Sequence, residues 1–96
     1  MANENEQKRI LISGASSGLG RAMAELLASR KNIVFAGARK QEDLDALNEI
    51  DGISAVKLDV TSKKDIQEVF EKIEKEWGCL DVLINNAGIA LGGPLV

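Results

Sequence analysis

Three glycines spaced as Gly14-x-x-x-Gly18-x-Gly20 are the residues of this chain best suited to chemistry. They follow the apolar run Ile10-Leu11-Ile12-Ser13 and precede a segment of helical periodicity. Glycine lets the backbone turn sharply without a Cβ clash, approach a bound pyrophosphate closely, and pack a helix tightly on a sheet. Free N–H groups at the start of that helix then favour negative charge. Gly14, Ser16, Ser17, Gly18, Leu19 and Gly20 are therefore the candidate phosphate-holding residues. The plainer alternative is a tight turn with no ligand.

Roughly 20 residues beyond such a loop, an Asp or Glu ending the second strand would bond the 2'-hydroxyl of an adenosine ribose. Here the stretch reads Ala36-Gly37-Ala38-Arg39-Lys40 and holds no carboxylate to repel a phosphate. Arg39 offers a planar fork of donors suited to a 2'-phosphate, and Lys40 adds positive charge beside it. The stretch favours NADP(H) over NAD(H), against the reading that Arg39 only faces solvent at a strand end.

The elements that must position these groups alternate between short apolar runs and helical segments, the βαβ pattern. Strands are expected at Ile10–Ser13, Ile33–Gly37, Ile53–Leu58 and Leu80–Asn85. The first helix follows the glycine loop, with Leu19, Ala22, Met23, Leu26 and Leu27 on its apolar stripe. A shorter helix starts near Gln41 with Leu44, Leu47 and Ile50 on its inner edge and ends at Asp51-Gly52. A third opens with Ser62 and Asp65 at capping-box spacing and buries Ile66, Val69, Phe70, Ile73 and Trp77. Its outer face, Lys64, Glu68, Glu71, Lys72, Lys75 and Glu76, reads as solvated surface with weak ion pairs. Crossovers of this length require parallel strands. The expected fold is α/β: a Rossmann-like doubly wound parallel sheet, truncated to four strands in order 3-2-1-4 with three helices. Residues 1–8 read as a polar N-terminal tail and 9–96 as one NADP(H)-binding half-domain.

With these residues placed, the sequence resembles the classical short-chain dehydrogenases/reductases over nearly all of its length after the tail. Gly14-Ala15-Ser16-Ser17-Gly18-Leu19-Gly20 is similar to that family's glycine motif, with Ser13 where Thr is common. Leu58-Asp59-Val60-Thr61 resembles the segment lying against adenine, which implies that Asp59 bonds the exocyclic amine and Val60 the ring through its backbone. Asn85-Asn86-Ala87-Gly88 resembles the family signature after the fourth strand and implies Asn86, Ala87 and Gly88 beside the cofactor ribose. Taken singly, Asp59 could merely begin a turn, and Asn85 and Asn86 could serve to tie loops to the sheet. The resemblance also implies hydride transfer assisted by a Tyr, a Lys and a Ser downstream of the fourth strand. This sequence has no Tyr and reaches Val96 before that region, so the chain alone is expected to be catalytically incomplete.

Bulk properties narrow the remaining classes. A net charge of −3 with interspersed signs gives no basic field for nucleic acid. No apolar run approaches the roughly 20 residues needed to span a bilayer, and the polar opening Met1–Arg9 lacks a secretory signal, so a cytoplasmic location is expected. There is no His and one Cys, which excludes an intramolecular disulfide and a Cys/His zinc site. Cys79 reads as a buried apolar filler. The far edge of the fourth strand, with Leu80, Val82, Leu83 and Ile84, is expected to lie open and to invite self-association or docking of another protein.

Overall fold

A computed structural model describes residues 7–16 and 18–86 of the chain. In order the elements are β1 (Arg9–Ser13), α1 (Gly18–Ser29), β2 (Ile33–Ala38), α2 (Gln41–Asn48), β3 (Ile53–Lys57), α3 (Lys63–Trp77) and β4 (Val82–Asn85). All paired strands run parallel, in the order β3-β2-β1-β4. That is the order expected from the alternation of strands and helical crossovers. β1 is central, with Ile10 beside Val34 on one side and Val82 on the other.

Strand alternation divides the core into two layers. Ile10, Ile12, Val34, Ala36 and Ile53 point to one face, where α1 and α2 bring Ala24, Leu44 and Leu47. Leu11, Phe35, Val56 and Leu58 point to the other, where α3 alone supplies Val69 and Ile73. Two helices thus cover one face and one the other. Burial on both sides explains why β1 and β2 read as continuous apolar runs.

α1 departs from the expected stripe. Leu19 and Leu26 are 64% and 54% exposed, while Gly20 and Ala24 are buried and Met23, Leu27 and Ala28 pack against the core. The helix approaches the strands along a row of small residues four apart, because a larger side chain at Gly20 has nowhere to go. Its end has no glycine. Lys31 takes the left-handed conformation there, with φ 68°, and Asn32 Nδ2 donates to the Leu27 carbonyl at 3.0 Å.

α3 follows its pattern more closely. Ser62 Oγ accepts from the Asp65 amide at 3.2 Å, the capping contact its spacing implies. The reciprocal bond is redirected, since the Asp65 carboxylate accepts from the Asp59 amide at 3.1 Å. Gly78 closes the helix at φ 87°, its amide donating to the Glu74 carbonyl at 2.9 Å. Trp77 is only partly core: it is 43% exposed and sets its ring edge-on to Phe35, centroids 6.4 Å apart. The outer face is exposed as expected but carries no ion pair among the described residues; Gln67 Nε2 bonds Glu71 Oε2 instead.

The approach to β4 also differs. Leu80 lies before the strand and packs at the edge of the α3 layer. Cys79, expected as a buried filler, is exposed, its sulfur 2.7 Å from Arg9 Nη1. The cause is local: Gly78 ends α3 at the surface, and Asp81 ties the connection to β1, accepting from the Arg9 amide and donating its own amide to the Arg9 carbonyl.

The layering separates side chains that the sequence pattern treats as equals. Ile73→Ala is expected to cost about 2–5 kcal/mol by opening a cavity under the sheet. Leu26→Ala should stay within about 0.5 kcal/mol of the parent chain. Urea denaturation of both variants checks the pair; equal losses would return Leu26 to the core.

Candidate functional site

The site forms where β1, β2 and β3 end and α1 begins. β1 leaves the sheet through Gly14, at φ 64°, and the Ala15 amide donates to the Gly37 carbonyl at 2.9 Å, holding the loop against β2. Gly18 opens α1 at φ 61°, with open space where a side chain would stand. Glycine is needed there for backbone conformation. At Gly20 it is needed for space: a Cβ would lie 2.3 Å from the Gly14 carbonyl oxygen and 2.6 Å from Asn86 Nδ2.

β4 braces the same corner. Asn86 Nδ2 donates to the Gly14 carbonyl at 3.0 Å, and the buried Ser13 donates its hydroxyl to Asn85 Oδ1 at 3.0 Å. The two asparagines thus tie the loop to the sheet, a role compatible with facing a ligand. Among the described residues no group accepts from the amides of Gly18, Leu19 or Gly20. The mouth of α1 therefore presents unsatisfied N–H donors, the arrangement that suits an anion.

Beside the loop a cleft of about 290 Å³ is lined by Gly14, Ser16, Ala38, Arg39, Leu58, Asp59, Val60 and Thr61. It collects five of the expected residues, Gly14, Ser16, Arg39, Asp59 and Val60, from three separate loops. Arg39 is exposed and has no ion pair among the described residues, so its guanidinium is free for another anion. Gly18, Leu19 and Gly20 belong to the helix start rather than the cleft wall, and Asn86 stands behind the loop. Lys40 is the exposed N-cap of α2 and lies outside the lining. Ser17, Ala87 and Gly88 fall outside the described residues.

Ala38, Leu58 and Thr61 line the cleft although no motif pointed to them. The available signal was their adjacency to Arg39 and Asp59 at the ends of neighbouring parallel strands, where the register pairs Ala38 with Lys57. A smaller hollow of about 150 Å³ lies on the α3 side and shares Leu58 and Val60 with the cleft. Its other walls include Leu11, Ile66, Val69, Phe70 and Leu83, so it is the apolar of the two.

Among the described residues Asp59 is the one carboxylate in the cleft wall. The hydroxyl of Thr61 donates to its Oδ1 at 2.6 Å and the Thr61 amide at 2.9 Å, and these bonds hold its carboxyl below the ordinary value of 3.8. Partial burial works against them, while Arg39 and Lys57 reinforce them electrostatically. A lowered carboxyl stabilises the folded chain fully above pH 3.8, and that contribution is lost as pH falls through the lowered value. At neutral pH the cleft therefore holds a fixed negative charge beside the Arg39 cation.

Comparisons with known proteins agree with this architecture. A family model described as short chain dehydrogenase matches residues 8–95. The chain is 42% identical over 96 residues to the 3-oxoacyl-[acyl-carrier-protein] reductase FabG of Thermotoga maritima, covering 95% of this chain and 39% of that protein. It is 38% identical over 85 residues to the "Probable NADP-dependent dehydrogenase in aabA 3'region" of Dichelobacter nodosus, covering 86% of this chain and 80% of that one. A crystal structure of a short chain dehydrogenase from Bacillus anthracis superposes with a TM-score of 0.78 at 38% identity, over 88% of this chain and 36% of its own.

The tight corner is the most easily tested part of the site. In an open helix Gly20→Ala would gain about 1 kcal/mol of propensity. Against a backbone carbonyl at 2.3 Å the overpacking cost of up to about 3 kcal/mol dominates, for a net loss of about 2 kcal/mol in chemical denaturation. A stabilised variant would mean that the loop and α1 do not meet as described.

Proposed function

This chain belongs to the short-chain dehydrogenase family, and on that premise we propose that residues 9–96, preceded by a polar tail over 1–8, hold a nicotinamide dinucleotide, NADP(H) in preference to NAD(H). The observation that carries the reading is the pairing of amides at Gly18, Leu19 and Gly20, which meet no acceptor among the described residues, with a neighbouring cleft that contains Arg39, which has no ion pair among them. The dinucleotide's bridging phosphates would meet the amides of the glycine loop, with Ser16 and Ser17 adding hydroxyls. Arg39 would meet a 2'-phosphate. Asp59 and Val60 would face the adenine, and Asn86, Ala87 and Gly88 the ribose. The name of the Dichelobacter nodosus relative, "Probable NADP-dependent dehydrogenase in aabA 3'region", supports the choice between the two cofactors.

When bound, the cofactor supplies hydride for reducing a carbonyl or accepts it from an alcohol. The residues of this chain bind and orient it. They include no Tyr to act as the proton donor that the family's chemistry uses, so turnover requires groups from elsewhere. The chain spans 39% of the length of the Thermotoga maritima reductase it matches.

A second reading rests on β4. Val82 and Leu83 are 39% and 53% exposed, and among the described residues no strand pairs with the outer edge of β4. Such an edge suits self-association, or a non-catalytic nucleotide-sensing role in which another protein docks there.

Isothermal titration with NADPH and NADH separates these readings. The parent chain should favour NADPH, and Arg39→Ala should reduce that preference by about tenfold, the value of one charge-assisted contact. An unchanged preference removes Arg39 from its role, and binding of neither cofactor removes the site. Sedimentation velocity addresses the edge: Leu83→Lys should shift the chain toward monomer, whereas a parent chain already monomeric at high concentration leaves β4 without a docking role.

A further inference from the structure

Asp59 is held more completely than any other residue of the cleft wall. Its amide donates to Asp65 Oδ2 at 3.1 Å, and its carbonyl accepts from the Ser62 amide at 2.9 Å. Its Oδ1 accepts twice from Thr61, from the amide at 2.9 Å and from the hydroxyl at 2.6 Å. Oδ2 has no hydrogen bond among the described residues. The turn from β3 into α3 thus uses every polar group of Asp59 except one oxygen, and Thr61 lines the same cleft.

An ionised carboxylate only accepts hydrogen bonds, so a group meeting the remaining oxygen must be a donor. A site built on one fixed acceptor rejects a ligand that brings another acceptor to the same place. Adenine carries an amine at its 6-position and hypoxanthine a carbonyl. The discrimination depends on the carboxylate keeping its orientation, because torsion about a terminal carboxylate bond is soft unless something holds it. The Thr61 amide anchors Oδ1 whatever side chain stands at 61, whereas the hydroxyl adds a second, shorter anchor that only Thr or Ser can supply.

We infer that Thr61 is a positioning residue for base recognition, holding the Asp59 carboxylate so that Oδ2 selects a 6-amino over a 6-oxo purine. The inference rests on the reading that this cleft receives the adenosine end of a dinucleotide. Thr61 acts through Asp59 and need not touch the ligand itself. Its hydroxyl also favours the ionised form of Asp59, the form that can only accept.

The test titrates the full chain, as parent, Thr61→Val and Thr61→Ser, with NADPH and with the reduced hypoxanthine analogue of the same dinucleotide phosphate. The parent should bind NADPH about tenfold more tightly than the analogue. Thr61→Val is isosteric and keeps the backbone donor, and it should reduce that ratio to about threefold or less; Thr61→Ser should restore it. A parent-like ratio in Thr61→Val, or equal weakening toward both ligands, overturns the inference and leaves the cofactor site standing. Failure of the parent to bind either dinucleotide overturns the reading of the cleft, and the inference with it.

Discussion

The whole arrangement depends on how closely α1 approaches the loop that feeds it. Gly20 rests against the Gly14 carbonyl, and the same oxygen accepts from the Asn86 side chain. One backbone atom thus joins the end of β1, the first turn of α1 and the residue after β4. The contact leaves no room for a Cβ, so it couples sequence to geometry more strictly than any burial term in the molecule. It also fixes the first turn of α1 at the end of β1. Donors at a helix start are satisfied by caps, water or a ligand. Among the described residues no cap reaches those of Gly18, Leu19 and Gly20.

The sheet does the rest of the positioning. Parallel strands deliver all their C-terminal ends to one side, so the loops after β1, β2 and β3 converge although their residues are far apart in sequence. Arg39 leaves β2 and Asp59 leaves β3, and the two charges face the same cleft without forming a salt bridge. A direct ion pair would have consumed both. Asp59 is instead tied down by Thr61, Ser62 and Asp65, and the guanidinium has no ion pair among the described residues.

Much of this was legible from residue types. The strand order follows from the alternation of short β-branched runs with helical crossovers, and the glycine spacing by itself marks the loop. The site residues Gly14, Ser16, Arg39, Asp59 and Val60 do meet in one place. The departures in α1 and at Cys79 share a cause, which is that hydrophobicity alone does not decide burial. Leu19 and Leu26 fit a helical stripe, yet the face of α1 that docks is set by the smallest residues, because close approach to the strands excludes larger ones. Cys79 is apolar enough for a core, but the turn at Gly78 leaves it outside. The redirected Asp65 bond was equally hidden, since capping-box spacing does not reveal that the Asp59 amide takes the carboxylate while the Ser62 amide donates to the Asp59 carbonyl.

Trp77 is the only tryptophan in the sequence, and it stands at the end of α3 with its ring edge on buried Phe35. It belongs to a hollow with Lys31, Asn32 and Ile33, near the strand starts and across the sheet from the glycine loop. The molecule therefore carries an optical gauge set at the opposite ends of the strands from the glycine loop. Its emission follows the seating of α3 against Phe35 and so monitors the integrity of the scaffold, while energy transfer to a reduced nicotinamide would depend on the distance across it. Folding can thus be followed with no added label.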